Sequence, residues 1–317
     1  MMETFYRDYR LTVGVGNQAV IIEPPMSVSF KALESVDKKT LGKLTVSING
    51  LQPSTRLQLV KAEDDKKYIP VRLEVGYNEK LRQVFQGSVK SGAVKREGPI
   101  HVVSLECEDG GHDYINAFTS RTVRGKDQVV DAVLQDMPNT KKGSVTGMQQ
   151  LIRPKVLVGS SSKILSDMLS PDEAFFIKDE RINILKSNEV VSGNIPVVNA
   201  RSGLLNTPQS TKASAQASGN QKKPAPTNSP VTDPGGDSKE TVDSSTLVSQ
   251  VKGQIVFETK LNPMLRIGGL CSLESVTNPA LNGVYKIYQI ETNGQYTGPA
   301  WAQKVVCQPP GEYEVIA

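Results

Sequence analysis

Large aromatic side chains are scarce in this 317-residue chain: one tryptophan, seven phenylalanines and nine tyrosines amount to 5% of it. That is lean for one large globule and ordinary for an assembly subunit with an embedded polar segment. Two histidines, His101 and His112, are too few for a His-rich metal site. The three cysteines, Cys107, Cys271 and Cys307, are odd in number, far apart in sequence and without CxxC spacing. Each sits in an apolar, strand-like context, which predicts buried reduced thiols in a protein made in a reducing compartment. No stretch approaches the ~20 apolar residues of a membrane span, and the first residues carry no apolar core of signal-peptide length, so the chain is expected to be cytoplasmic when made. Neither sign of charge dominates: 37 basic residues stand against 33 acidic ones, net +4. The basic residues are scattered, not gathered into the stripe a nucleic-acid reader concentrates on one face.

One long segment lacks the means to build a core. Residues 206–246 contain no Leu, Ile, Met or aromatic residue and are dense in Ser, Thr, Pro, Gly, Asn and Lys. Such a composition cannot bury enough apolar surface to offset its ordering entropy, and it reads as a flexible polar insert.

What the rest of the chain contains is mostly strand pattern. In 43–48, Leu44, Val46 and Ile48 fall on one face and Lys43, Thr45 and Ser47 on the other, the period of a half-buried strand. Residues 11–15, 19–22, 28–33, 71–76, 84–89 and 100–107 read the same way, with a short helix after Pro53. The middle of the chain changes period. Val129, Val130, Val133, Leu134 and Met137 predict a helix over 126–137 stopped by Pro138, and a second helix begins near Ser161 or Ser162 and runs to Ser170. Residues 174–177 and 181–185 flank Lys178, Asp179 and Glu180 as a tight hairpin. Strands return at 254–259, 270–275, 284–290 and 300–307. The expected fold is mainly β with a small α+β middle domain and two tube-like β-barrel or sandwich domains: an N-terminal β-barrel over 1–112, the middle domain over 113–200, the polar insert over 201–246, and strands completing the second tube-like domain over 247–317.

Catalytic patterns are few. Gly159-Ser160-Ser161-Ser162 lacks the second glycine of a nucleophile elbow and reads as helix capping. Gly14 and Gly16 have no third glycine and sit between strands, unlike a dinucleotide fingerprint. Glu106, Cys107, Glu108, Asp109, His112 and Asp113 bring together carboxylates, a thiol and an imidazole, groups able to ligate a cation or support acid–base chemistry, and the favoured reading is a strand end followed by a glycine turn. The pairs Asp172-Glu173 and Asp179-Glu180 resemble glycosidase carboxylates only in type; on a turn they are expected to be exposed. The sequence therefore assigns no catalytic, cofactor-binding or metal-binding residue, no cofactor, and a non-enzymatic role.

Four stretches together resemble the hub proteins of contractile-tailed phage baseplates: 71–77 with 84–89, where Gly87 marks a bend or a close backbone approach; 200–208; 260–269, a turn leading into a strand; and 283–287 with Trp301. The polar insert departs from the family's pattern. The resemblance implies a homotrimeric ring that joins a hexameric tail tube to a trimeric central spike and leaves a channel for DNA or tape-measure protein. The implied partners are further copies of the chain, the tube protein, the spike protein and other baseplate or wedge proteins. DNA would pass non-specifically, no membrane would be entered, and the site of action would be the virion tail after assembly in the host cytoplasm. Alternatives are a tail-tube adaptor, a spike-base protein or a tail-associated peptidoglycan hydrolase.

Overall fold

Alternation of apolar and polar side chains accounts for most of the secondary structure in the computed structural model, which describes residues 6–16, 19–36, 41–61, 68–146, 148, 151, 153–211, 253–308 and 313–316. In the N-terminal block, strands β1 (Arg7–Val13), β2 (Val20–Ile22), β3 (Val28–Ser35), β4 (Lys43–Asn49), β5 (Pro70–Tyr77), β6 (Lys80–Glu97) and β7 (Ile100–Glu108) surround one helix, α1 (Pro53–Lys61). The inward positions of β4, Leu44, Val46 and Ile48, are 0–1% exposed, as the period-two pattern requires. They pack with Leu11, Leu73, Phe85 and Leu105 in a single aliphatic-rich cluster.

The middle of the chain forms α2 (Gly111–Asn116), β8 (Phe118–Val123), α3 (Lys126–Leu134), β9 (Lys141–Val145), β10 (Lys155–Ser160), α4 (Ser161–Asp167), β11 (Glu173–Lys178) and β12 (Arg181–Lys186). Short strands β13 (Glu189–Val191), β14 (Val197–Asn199) and β15 (Gln209–Ser210) lead out of it. The C-terminal block holds β16 (Ile255–Lys260), β17 (Leu270–Glu274), β18 (Gly283–Gln295), β19 (Trp301–Cys307) and β20 (Glu314–Ile316).

The mainly-β expectation holds, and two features of the ladder were not expected. First, β18 does not stop near residue 290. It continues to Gln295 and pairs antiparallel with β3 from Gln289↔Ser35 to Gln295↔Ser29. The N- and C-terminal blocks therefore share one sheet, ordered β15-β16-β19-β18-β3-β4-β7-β6-β5-β1-β2. Second, that path has two ends among the described residues, so the expected closed barrels are not found. β2 pairs only with β1 and β15 only with β16, each a strand of two or three residues that ends before another partner is reached. The expectation for 206–246 falls largely on residues 212–246, outside those described; the insert's first residues enter β15.

The β11–β12 hairpin is a wall shared by two cores. Phe175, Ile177, Ile182 and Ile184 face the middle cluster, while Phe176 and Leu185 face the C-terminal one. A strand buried on both faces shows no clean alternation, and four consecutive residues of β12, Ile182–Leu185, are indeed buried. A clasp ties chain start to chain end. The Arg7 guanidinium donates to the carbonyls of Gln295 (3.1 Å), Gly298 (2.5 Å) and Pro299 (3.2 Å). It also lies 5.6 Å from the ring centre of Trp301, which packs edge-on against Phe30 and Tyr77.

Candidate functional site

Three parts of the chain meet at a buried polar joint. β3 contributes Glu34, the end of β7 contributes Asp109, and the tip of the β11–β12 hairpin contributes Lys178, Asp179 and Glu180. The hairpin loop has two residues, because Lys178 pairs with Arg181. Both loop residues lie in the left-handed region, Asp179 at φ 54° and Glu180 at φ 57°. A non-glycine residue pays for that conformation, and here the compensation comes from outside the hairpin. The Asp109 carboxylate accepts the backbone N–H of Asp179 at 2.7 Å and of Glu180 at 2.8 Å.

Beside it, the Lys178 ammonium donates to Glu34 and to the Val84 carbonyl (2.8 Å) and lies 3.5 Å from Asp179. Burial pushes the carboxyls of Glu34 and Asp109 above the usual range, with Lys178 opposing in both cases. Burial alone would lower Lys178, but Glu34 and Asp179 outweigh it and the ammonium is held above its ordinary value. Glu180 accepts from the Tyr68 hydroxyl and from Gln86 Nε2 at 2.8 Å. Every acid in this cluster is engaged by the fold.

The sequence treated the two halves of this joint as separate turns. The structure brings Asp109, which is fully buried, and Asp179-Glu180 together; of the carboxylates expected to be exposed only Asp172 is, and the expectation is corrected for the rest, with Glu173 5% and Glu180 8% exposed and Asp179 half-buried. The 106–113 segment is also more than a turn. Gly110, at φ 66°, is the residue before α2, and a Cβ there would lie 2.7 Å from the Ile177 side chain. Asp113 accepts from the backbone N–H of Asn139 (2.8 Å), its side-chain amide (2.8 Å) and the Thr140 hydroxyl (2.9 Å), which fixes the start of β9. His112 lies 3.3 Å from Asp113 and edge-on to Tyr68. Cys107 is buried in the N-terminal core, and burial pushes its thiol up to about 12. No group of three His, Cys, Asp or Glu residues among those described could hold a metal ion.

The remaining motifs resolve as scaffold. Glu173 accepts the backbone N–H of Met148 and Ser170. Asp172 accepts from Ser187 through its backbone carbonyl. Ser160 stands at the start of α4 but makes no capping hydrogen bond; its hydroxyl pairs with Ser162 at 2.9 Å, and Ser161 with Thr119 at 2.8 Å. Gly14 and Gly16 lie in the connection after β1, at φ 94° and 58°. Gly87 meets its expectation of close approach: a Cβ would stand 2.5 Å from the Glu108 carbonyl oxygen. One buried cation had no sequence signal. Lys286 is 1% exposed and donates to the carbonyls of Lys186 (3.4 Å) and Ser187 (3.2 Å); burial pulls it down to about 8 against a smaller opposing effect of Glu189. The free thiols of Cys271 and Cys307 lie 3.7 Å apart in the C-terminal core.

No protein-family profile and no curated protein matches this sequence. Solved structures do match its fold. A prophage MuSo2 tail protein from Shewanella oneidensis superposes with a TM-score of 0.59 at 9% identity, over 95% of this chain and 98% of that one. The chain has a phage tail-protein fold. A tail protein from Neisseria meningitidis gives 0.59 at 10% identity, over 96% of this chain and 98% of that one. An Escherichia coli component of the type VI secretion system, described as similar to T4 bacteriophage tail proteins gp27 and gp5, gives 0.59 at 9% identity over 91% of this chain and 75% of that one. At such identities the tail-protein fold is what is shared.

Proposed function

We propose that the chain is a structural, non-enzymatic subunit of a phage-type tail, acting as a baseplate hub. Three copies form a ring between a hexameric tube and a trimeric spike around a channel for DNA or tape-measure protein, in a particle assembled in the host cytoplasm. The observation that carries this is end-to-end likeness: two tail proteins align over nearly their whole length and nearly all of this chain. The chemistry supports it, since the buried carboxylates serve the scaffold: Asp109 and Asp113 accept backbone amides, Glu34 pairs with Lys178, and Glu180 accepts from Tyr68 and Gln86. Exposed apolar side chains support it too. Phe118, Val156 and Val158 are 61–66% exposed along the β8–β10 ladder, as in a chain that buries surface against neighbours.

Within this reading the division into residues 1–112, 113–200, 201–246 and 247–317 is the domain order of the hub, with no catalytic, metal or cofactor residue in it. The likeness to a type VI secretion component favours a second reading, a spike-base protein of the same shape. Light scattering on the purified chain at micromolar concentration tests both: a trimer is expected, and a stable monomer overturns them. Reconstruction of the ring with its neighbours separates hub from spike base. A cell-wall zymogram is expected to stay blank, and clearing would overturn the non-enzymatic assignment.

A further inference from the structure

Next to the polar joint lies a cleft of about 480 Å³ whose charge the fold leaves unbalanced. Its walls carry four cations, Arg72 from β5, Lys141 from β9, Arg181 from β12 and Arg266 from the turn before β17, against two acids, Asp179 and Glu180. The acids are already occupied. Asp179 faces Lys178 at 3.5 Å and Arg266 at 3.6 Å, and Glu180 is held by Tyr68 and Gln86. Arg72 is engaged by Glu74 at 2.7 Å. The side chains of Lys141 and Arg181 have no partner among the described residues.

These two cations are also direct neighbours. β9 and β12 run parallel with Arg181↔Lys141 in register, so like charges stand on paired positions of adjacent strands. Such a pair destabilises a ladder unless an anion lies between its members. A second cleft, of about 320 Å³, adjoins through Arg266; it has no acid and is lined by Arg82 together with Pro263, Met264 and Ile267. The two clefts thus offer carboxylate-binding guanidinium groups followed by an apolar shelf.

We propose that this double cleft receives an extended acidic segment of a neighbouring protein chain, its carboxylates on Arg181 and Lys141 and an apolar side chain on the Met264–Ile267 shelf. Guanidinium groups bind carboxylates through paired, charge-assisted hydrogen bonds, and an ammonium adds a point charge. A nucleic-acid strand fits less well. Its phosphates recur at every step and would meet Asp179 and Glu180, and neither cleft has an aromatic ring on which a base could stack. The inference rests on the tail-subunit reading only for the source of the segment.

The test is a fluorescence-anisotropy titration of the purified full-length chain with a labelled Glu-Leu-Glu-Leu-Glu peptide at low salt. A Lys-Leu-Lys-Leu-Lys peptide, a six-nucleotide single-stranded DNA and inorganic phosphate serve as comparison probes. Saturable binding of the acidic peptide is expected, weakening with salt and falling about tenfold or more in the Arg181→Gln, Lys141→Gln double variant. The same variant should melt no lower than the parent, because it removes the like-charge pair, so loss of binding cannot be loss of fold. Should that variant melt lower, the single Arg181→Lys and Met264→Ser changes carry the test, each expected to weaken the peptide. The proposal is overturned by no saturation up to about 1 mM peptide, by unchanged binding in the variants, or by DNA or phosphate binding as tight as the peptide. Failure here leaves the ring reading standing, and a monomer in light scattering leaves the cleft standing.

Discussion

A lysine taken out of water demands a partner, and among the described residues Lys178 and Lys286 meet that demand with opposite outcomes. Lys178 meets Glu34, Asp179 and the Val84 carbonyl, so its charge is retained, whereas Lys286 donates to two carbonyls, Glu189 offsets its burial only in part, and its proton is held less tightly than usual. Removing one member of a buried pair leaves the other charge stranded, at a cost on the order of 3–5 kcal/mol. Lys178→Met is therefore expected to lower the free energy of unfolding in urea by about that much. Adding Glu34→Leu should recover part of the loss; strictly additive effects in the double-mutant cycle would show that the two groups do not act as a pair.

For Lys286 the pH dependence follows from its depressed value. The unfolded chain keeps this proton up to its ordinary value of 10.5, while the folded chain releases it above about 8. Between those limits the unfolded state binds more protons, so this group's contribution to stability rises with pH and its cost is fully present below pH 8. Lys286→Met should be more stable than the parent at pH 7, and the difference should shrink as pH rises towards 10. Parallel melting curves across that range would rule out Lys286 as the origin.

At the scale of elements, the β11–β12 hairpin is the most consequential piece. It inserts its tip into the joint, where Asp109 holds a loop of two left-handed non-glycine residues, and it presents one face to each of two cores. Asp109→Ala strips two buried amides of their acceptor, which costs roughly 1–3 kcal/mol or more. Amide exchange of Asp179 and Glu180 should rise first and most, and equal rises throughout the chain would contradict a local role. Gly87 makes a comparable demand on β6. Gly87→Ala would push a methyl into the Glu108 carbonyl, so β6 and β7 must separate, and a lowered melting temperature with loss of β6–β7 amide protection is expected.

Much at this scale was legible as alternation. β3, β4, β5 and β16 bury one face each, and their patterns announced them. The β8–β10 pair was not legible because its pattern is inverted: Phe118, Val156 and Val158 point outward while Thr119 is fully buried against Ser161. The pattern is read as burial, and apolar side chains that stay exposed in the single chain mislead it. Helix α2 was hidden by its two leading glycines, whose role is steric, since Cβ atoms there would strike Ile177 and the Glu108 side chain.

For the whole molecule, the open sheet and the Arg7 clasp make the chain's two ends one structural unit. Arg7 reaches three carbonyls of the β18–β19 connection and lies against the sole tryptophan, so that residue's emission reports on the union. Arg7→Ala should red-shift the Trp301 emission and lower the melting temperature; an unchanged spectrum would mean that the clasp does not shape the Trp301 site.

The amino-acid sequence alone was enough to establish a mainly-β chain, the strand positions that alternate, the helical middle, the polar segment after Asn206 and the buried character of the cysteines, because each follows from local composition or period. Folding in three dimensions decided which distant residues meet. No local pattern states that Asp109 will cap Asp179 and Glu180, that Lys141 will stand beside Arg181, that Cys271 will lie against Cys307, or that β18 will run on to pair with β3. Those pairings arise from strand register and, for Asp109, from the demand of buried amides for an acceptor, and both are properties of the assembled chain.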